Sequence, residues 1–244
     1  MISNAFLCAT LKIENYPWRK GGPFPMTENI RKNIPSSPPS SFVFPMDICS
    51  EEKRTAMPFT DIPAGAWYEE GVRYAWCHGL MAGTSPTLFS PRLPLSRGMA
   101  VTILHRLESC PSSKGESRFS DVKPGYYWSE AVLWAGEKGI VLGCGRGKFR
   151  PEEPITREQL AALLYRLAQV SSGKQEEIMP TEFADFADAR LISRYALPAF
   201  QWALEQKLIQ GTRRRRLFPR RSATRAQMAV LLHRWQRYGG AKTI

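Results

Sequence analysis

The chain has 244 residues, a formal net charge of +12 and a sequence pI of about 9.7. Its 43% hydrophobic content is that of a globular protein with a sizeable core, which excludes a disordered or collagen-like chain. No apolar run approaches the roughly 20 residues of a transmembrane segment. The positive charge indicates an anionic partner, such as nucleic acid, a membrane surface or an acidic polysaccharide.

Composition sets the first 58 residues apart from the rest. Residues 16–58 are rich in proline and serine, as in PSSPPSSFVFP, and we expect 1–58 to form a disordered tail or linker. The opening ISNAFLCATL lacks the basic region and cleavage site of a convincing signal peptide. The cysteines are scattered singly, which favours inert core or loop residues over a zinc site or a disulfide framework. They are Cys8, Cys49, Cys77, Cys110 and Cys144.

Three similar units follow the tail, at 59–110, 119–170 and 183–238. Each has an F-x-D motif near its start and ends in a similar amphipathic segment. The spacing from a glycine to a later arginine is 14 residues in every unit, from 83 to 97, from 143 to 157 and from 211 to 225. We therefore predict an all-α fold in which three tandem helix-loop-helix repeats form a pseudo-threefold helical bundle.

Each unit carries signals for where its two helices end and begin. We expect the first helix to stop at a glycine, and the second to follow a hydroxylic N-cap. The glycines are Gly83, Gly143 and Gly211, and the caps are Ser96, Thr156 and Thr224. In PITREQLAALLYRL, Thr156 and Gln159 match a capping box, and leucines at helical spacing follow.

An arginine follows the cap in every unit, as Arg97, Arg157 and Arg225. The first turn of a helix disfavours a cation by roughly 0.3–1 kcal/mol, so these arginines suggest a task other than helix formation. One interpretation is an anion site built from the guanidinium and free helix N–H groups. Another is a structural ion pair to an aspartate near the start of a unit. The candidate aspartates are Asp61, Asp121 and Asp188.

The repeated pattern F-x-D, WY, AV, A, GI, G, F-x-P and ITR-x-x over 59–236 resembles the S-layer homology domain. The resemblance implies a three-pronged bundle that anchors a surface protein to the bacterial cell wall or S-layer, outside the cell. It implies as partner an anionic secondary cell wall polysaccharide bearing pyruvate ketals, or a peptidoglycan-linked glycan. The family's groove arginine corresponds to Arg97, Arg157 and Arg225. Gly98 in SRGM departs from the motif, which predicts a degraded first groove.

Aromatic residues just after each motif aspartate are candidate platforms for sugar rings, because sugars stack on aromatic faces. Trp76, Trp134 and Trp202 lie deeper in the first helices, and we expect them in the core. The predicted glycan-binding set is Arg97, Arg157, Arg225, Ser96, Thr156, Thr224, Gly83, Gly143, Gly211, Trp67, Trp128 and Tyr195.

Other chemistry is weakly represented in the sequence. The three histidines are too scattered for a metal cluster, and no nucleophile elbow, phosphate loop or HExxH motif occurs, so we expect neither an enzyme, a metal site nor a cofactor. The run at Arg213–Arg216 leaves open an intracellular nucleic-acid-binding protein. A third alternative is the anchoring fragment of a larger surface enzyme.

Overall fold

The computed structural model describes residues 57–173, 183 and 185–237, so the predicted tail lies outside the described residues except at 57 and 58. This part forms six α-helices, two per unit: α1 (Glu69–Cys77), α2 (Arg97–Leu107), α3 (Ser129–Glu137), α4 (Arg157–Ser172), α5 (Leu197–Glu205) and α6 (Arg225–Arg237). Two 3-10 helices, Ala189–Leu191 and Arg194–Ala196, precede α5. The described residues have isolated β-bridges but no strand, and the all-α prediction is confirmed.

The second helix of each unit begins at its predicted cap. The Thr156 hydroxyl accepts a hydrogen bond from the Gln159 N–H at 3.3 Å, and the Gln159 side chain accepts one from the Thr156 N–H at 3.0 Å. Thr224 and Gln227 form the same reciprocal pair. Ser96 caps α2 with its hydroxyl alone. The hydroxylic residues therefore fix where the second helices start.

The first helices stop before the glycines that were predicted to end them. Two residues after each helix the backbone turns left-handed, with φ of 67° at Gly79, 71° at Gly139 and 56° at Lys207. After α1 this turn lets the Leu80 N–H donate to the Ala75 carbonyl at 2.9 Å, which closes the helix. The predicted stops, Gly83, Gly143 and Gly211, all lie beyond this turn.

The helices pair between units more than within them. α3 packs against α2, α5 against α4, and α1 against α6. At the last pair, a Cβ added to Gly71 would lie 2.8 Å from the Val230 backbone, so only glycine permits this approach. The predicted helical bundle of three units is therefore confirmed, and its helices pair chiefly across unit boundaries. The pairing of α1 with α6 closes the units into a ring.

Three buried residues at the centre of the ring form a cycle of backbone hydrogen bonds. The Leu95 N–H donates to the Ala223 carbonyl at 2.8 Å, Ala223 to Ile155 at 2.8 Å, and Ile155 back to Leu95 at 2.9 Å. Each residue lies two positions before the arginine of its unit. The cycle, which we call the hub, places the three second helices about one pseudo-threefold axis.

One hydrophobic core runs through all three units. Trp134 and Trp202 lie in it, as predicted, and Trp76 is half-buried against it. The largest fully buried side chains come from every unit: Trp235, Phe89, Phe149, Phe200, Leu95, Leu104, Ile140, Ile155, Leu160, Leu164, Leu167 and Leu217. Since the apolar contacts cross unit boundaries, each unit depends on the others for burial.

We expect the chain truncated after residue 173 to lose its cooperative unfolding transition. Removing the third unit takes away α6 from α1 and α5 from α4, and leaves the Leu95 N–H and the Ile155 carbonyl of the hub without partners. Urea denaturation followed by circular dichroism would compare this fragment with the full chain. A sharp transition in the fragment, with native helicity per residue, would show that two units fold alone.

Candidate functional site

The three repeated arginines join neighbouring units. Each Nε–H donates to a loop carbonyl of the next unit around the ring, at 2.8 or 2.9 Å. The pairs are Arg97 with Phe149, Arg157 with Leu217, and Arg225 with Phe89. Arg97 and Arg225 also cover the rings of Phe149 and Phe89, with Cζ 4.7 and 4.5 Å from the ring centroids. A task at the unit junction thus explains a cation in an unfavourable helical position.

The motif aspartates hold the same loop residue from the other side. The Asp61 carboxylate accepts hydrogen bonds from the Phe89 and Ser90 N–H groups at 2.8 and 2.7 Å. Asp121 and Asp188 bind their own loops in the same way. No ion pair within the described residues joins these aspartates to the repeated arginines. Aspartate and arginine are instead linked through one loop residue, whose N–H and carbonyl they bind.

The helix N–H groups that were predicted to hold an anion are occupied. In α2 the Arg97 N–H donates to the Glu153 carbonyl at 2.9 Å, and the Gly98 N–H to the Pro151 carbonyl at 2.7 Å. The third N–H donates to the Ser96 hydroxyl. The first turns of α4 and α6 bind loop carbonyls and cap hydroxyls in the same pattern. The prediction of free N–H groups is therefore wrong, because the neighbouring loop uses them.

The structural role of these arginines leaves their guanidinium groups poorly solvated. Burial lowers the pKa of Arg225 to about 10, while Asp61 and Tyr127 oppose the shift. Burial also lowers the pKa of Arg157, with Asp188 opposing the shift and Arg234 adding to it. Arg225 remains a cation at neutral pH, but its positive charge would be stabilised by a further anion nearby.

A second set of arginines, which the sequence analysis missed, repeats nine residues further along the second helices. Each donates to the carbonyl that follows the end of its own unit's first helix. The pairs are Arg106 with Leu80 at 3.2 Å, Arg166 with Ile140 at 3.2 Å, and Arg234 with Leu208 at 3.0 Å. The constant spacing from 97 to 106, 157 to 166 and 225 to 234 was the available signal.

The structure corrects the choice of aromatic platform in the second unit. Trp67, Tyr127 and Tyr195 each lie two residues before the first helix of their unit, and their exposed fractions are 65%, 48% and 51%. Trp128, which was predicted as a platform, is buried, and its indole Nε1 has no hydrogen-bond partner in the described structure. The exposed ring of the second unit is therefore Tyr127.

Exposed rings lie near arginines of the other two units at two places, and the repeats imply a third. The Tyr127 hydroxyl lies close enough to Arg106 and Arg225 to influence the pKa of both guanidinium groups, and Arg166 and Arg97 likewise influence the pKa of Tyr195. The equivalence of the repeats assigns Trp67 the corresponding place beside Arg157 and Arg234; these two guanidinium groups influence each other, and Arg234 lies on α6, which packs against α1 just after Trp67. We call these the first cluster (Tyr127, Arg106, Arg225), the second cluster (Tyr195, Arg166, Arg97) and the third cluster (Trp67, Arg234, Arg157).

The second cluster contains a buried carboxylate that the sequence analysis also missed. Glu158 accepts hydrogen bonds from the Ser193 N–H at 3.0 Å, the Ser193 hydroxyl at 2.9 Å and the Tyr195 hydroxyl at 3.3 Å. Burial, followed by the charge and hydrogen bond of Glu158, raises the pKa of Tyr195 to about 12. At the equivalent positions the other units have Gly98 and Ala226.

Comparison with known proteins decides the family. Residues 58–100 and 118–161 match the S-layer homology domain. The chain belongs to the S-layer homology family. An endoglucanase of Bacillus sp. (strain KSM-635) is 32% identical over 75% of this chain, and S-layer protein EA1 of Bacillus anthracis is 30% identical over 53% of it. An amylopullulanase of Thermoanaerobacterium thermosulfurigenes is 27% identical over 72%.

The chain corresponds to a small part of each of these relatives. It covers 19% of the endoglucanase, 15% of the S-layer protein and 9% of the amylopullulanase. S-layer homology domains are non-catalytic anchoring modules, and the enzyme-named relatives are much longer proteins. The family matches stop at 161, whereas the hub and the arginine junctions continue through the third unit.

The repeated glycines of this S-layer homology chain make room for the motif phenylalanines. A Cβ would lie 2.6 Å from the Phe59 ring at Gly83, 2.7 Å from the Phe119 ring at Gly143, and 2.4 Å from the Phe186 ring at Gly211. These close approaches explain the repetition of glycine by packing. The cap hydroxyls, likewise predicted to bind glycan, are occupied at the helix starts.

Two basic turns, one in the second unit and one in the third, contain none of the residues that define the three clusters. Arg213–Arg216 is exposed on a tight turn in which the Thr212 N–H donates to the Arg216 carbonyl at 2.9 Å. Arg215 pairs with Asp185 at 3.0 Å across two exposed side chains. The corresponding turn of the second unit borders an open cavity of about 540 Å³, lined by Cys144, Gly145, Arg146, Lys148 and Arg150.

In the described structure, the cysteines and histidines do not come together in one site. Cys110 and Cys144 are exposed free thiols, whereas Cys77 is disulfide-bonded, contrary to the expectation of inert cysteines. The buried His105 lies with Nε2 2.9 Å from the Pro111 carbonyl oxygen. Within the described ranges, no group of three or more metal-ligating side chains is assembled. No helix there has the length and apolar character needed to cross a bilayer.

We expect Gly143→Ala to destabilise the fold by about 2 kcal/mol more than Gly145→Ala. Both glycines have a positive φ, 82° and 87°, so the backbone cost of alanine is similar. An added Cβ meets the Phe119 ring and the Lys148 carbonyl oxygen at Gly143, and nothing within 4 Å at Gly145. Urea denaturation of both variants measures the difference. Equal losses would mean that the ring moves aside freely.

Tyr195 should ionise with a pKa of about 12 in a spectrophotometric titration. We expect Glu158→Gln to lower this pKa towards, but not to, the ordinary value, because burial is the larger cause. A raised folded-state pKa stabilises the fold below pH ~10, and this contribution is lost as the pH rises through about 12. Tyr195→Phe identifies the transition. An unchanged titration in Glu158→Gln would contradict the assigned contact.

Proposed function

We propose that this chain anchors a protein to the bacterial cell wall by binding an anionic wall polysaccharide, without turnover, at the three clusters. The observation that carries the proposal is the pairing of an exposed aromatic ring with two arginines of the other units at the first and second clusters, which the repeats extend to the third. Family membership supports the anchoring task, and an S-layer protein is among the relatives. Three related sites on one body would add avidity for a polymer that spans them.

Each cluster has the chemistry for an acidic sugar. The exposed ring offers an apolar face on which a sugar ring stacks. The guanidinium groups beside it are partly desolvated, so a carboxylate near them would be held more strongly than at an open surface. A pyruvate ketal holds a carboxylate close to a sugar ring, on a carbon joined to two of the sugar oxygens, so one residue of a pyruvylated secondary polymer presents both groups at once. The family resemblance favours this class of partner.

The predicted site residues take different parts in this proposal. Trp67, Tyr127 and Tyr195 contact the sugar, with Tyr127 in place of the buried Trp128. Arg97, Arg157 and Arg225 supply positive charge from the floor of each cluster while holding the units together. The cap hydroxyls and the repeated glycines position these groups from a distance.

The exposed Arg213–Arg216 turn supports a second, weaker candidate. Four consecutive arginines, of which Arg215 is paired with Asp185, would attract any polyanion through a salt-dependent contact. For the wall-binding proposal this turn adds electrostatic attraction. For an intracellular nucleic-acid-binding protein it would be the principal site. Because the matched relatives are several times longer, the cargo of the anchor is also open to proposal, including a larger surface enzyme.

Cosedimentation with isolated cell-wall sacculi tests the proposal. We expect the full chain to pellet with native sacculi and to stay in solution once hydrofluoric acid has stripped the secondary polymer. Trp67→Ala/Tyr127→Ala should weaken binding by at least about fivefold, since two stacking contacts are lost. Leu142→Ala is the matched control, because Leu142 is as exposed as Trp67 and lies outside the clusters.

Variants of the basic turn separate the two candidates. Arg213→Ser/Arg214→Ser should leave wall binding largely intact and make it less sensitive to salt. Wall binding that survives the ring variants would contradict the clusters as the site. Tight, salt-dependent binding to duplex DNA that is lost in the arginine variants, with none to sacculi, would favour the nucleic-acid alternative.

A further inference from the structure

The three clusters differ at one buried position. The second residue of each second helix is Gly98, Glu158 or Ala226, and at Gly98 and Glu158 it faces the start of the next unit's first helix. A Cβ on Gly98 would lie 3.3 Å from the Trp128 Cβ, which fills the space in the first cluster. In the second cluster the Glu158 side chain occupies the corresponding place and is 6% exposed.

Glu158 is fully engaged with the wall of the second cluster. Its Oε1 accepts the Ser193 and Tyr195 hydroxyls, and its Oε2 accepts the Ser193 N–H. Ser193 belongs to ISRY, which has one more residue before its tyrosine than the other units have before their rings. The third unit therefore brings hydrogen-bond donors for a carboxylate into the second cluster. The other two clusters have no acidic side chain at this position.

This carboxylate changes the electrostatic balance of the second cluster. The first and third clusters each contain two guanidinium groups, one of them influenced by the loop-bound Asp61 or Asp188, and at this position an uncharged Gly98 or Ala226. The second cluster contains two guanidinium groups and Glu158, whose Oε1 is 3.3 Å from the Tyr195 hydroxyl. A second carboxylate placed beside this ring would be repelled by the first, in surroundings where water screens the repulsion poorly.

We infer that Glu158 makes the second cluster select against acidic sugars, so that the carboxylate groups of the wall polymer bind at the first and third clusters. The Tyr195 ring remains half exposed, and it stacks on uncharged sugar residues of the same chain. The inference rests on the proposed function, and it makes Glu158 a specificity-determining residue. The polymer then binds through acidic sugars at the first and third clusters and through an uncharged sugar at the second.

Isothermal titration calorimetry of the full chain tests the inference with two small probes. One is a methyl hexopyranoside bearing a pyruvate ketal, and the other is the ethylidene acetal of the same sugar, which lacks the carboxylate. We expect the wild-type chain to bind the acidic probe at two sites. Glu158→Gln should add a third site, with affinity for the acidic probe raised about tenfold at the second cluster and little change for the neutral probe.

Matched variants separate a local effect from a general one. Glu152→Gln removes one negative charge from an exposed loop position, and it should leave stoichiometry and affinity unchanged. Tyr195→Phe keeps the ring and removes only the hydroxyl bound to Glu158, so it should not create a third acidic site. Thermal unfolding of each variant shows that the fold is retained. Glu158→Ala repeats the test if the glutamine variant unfolds.

The outcomes distinguish this inference from the proposed function. Two acidic sites in the wild type and three in Glu158→Gln support both. Three equivalent acidic sites in the wild type, or no gain in Glu158→Gln, overturn the role of Glu158 and leave the proposed function standing. No binding of either probe to any variant overturns both. A methyl glucuronide in place of the ketal shows whether any acidic sugar suffices, and the inference predicts the same gain for it.

Discussion

The fold depends on the hydrogen bond from each repeated arginine to a loop carbonyl of the next unit. A guanidinium donates a directional N–H from Nε and still has two terminal nitrogens for other acceptors. The single ammonium nitrogen of a lysine could not serve separate acceptors in this way. Arg225 shows both uses, because its Nε binds the Phe89 carbonyl and its terminal nitrogen binds that of Ala82. Asp61 completes the arrangement by accepting the Phe89 N–H. Opposite charges thus stabilise one loop residue from two sides without meeting in an ion pair.

The ring of three units follows from this geometry together with the hub. Each arginine lies two residues after a hub residue, so the backbone cycle sets where its side chain reaches into the neighbouring loop. The first helix of the next unit then packs on the second helix of the unit before. No first helix has its principal helix partner within its own unit, and the first and second clusters each draw residues from all three units. Folding and the candidate binding chemistry therefore cannot be separated by dividing the chain.

The sequence predicted the parts of the fold that depend on local chemistry or on exact repetition. Cap residues such as Thr156 act within one turn, and the all-α repeat appears as a spacing. The pairing of helices between units leaves no such signal in the sequence. The apolar face of a helix is compatible with a partner helix in its own unit or in a neighbouring unit. Tyr127 and Trp128 are adjacent and both aromatic, and only the helix start at 129 determines which is exposed. In sequence, Glu158 has the pattern of an ordinary first-turn acidic residue, which the helix dipole favours, and only the fold brings Ser193 and Tyr195 beside it.

A symmetric scaffold of this kind lets one position diversify without loss of the fold. The residue after the repeated arginine contributes its N–H to the junction, and that bond is made whether the side chain is Gly98, Glu158 or Ala226. Its side chain, by contrast, faces the neighbouring first helix, where it alters the charge and shape of a cluster. Backbone and side chain at this position therefore have separate tasks, one common to all units and one specific to each. Three copies of one arrangement can in this way present chemically different surfaces to a single polymer.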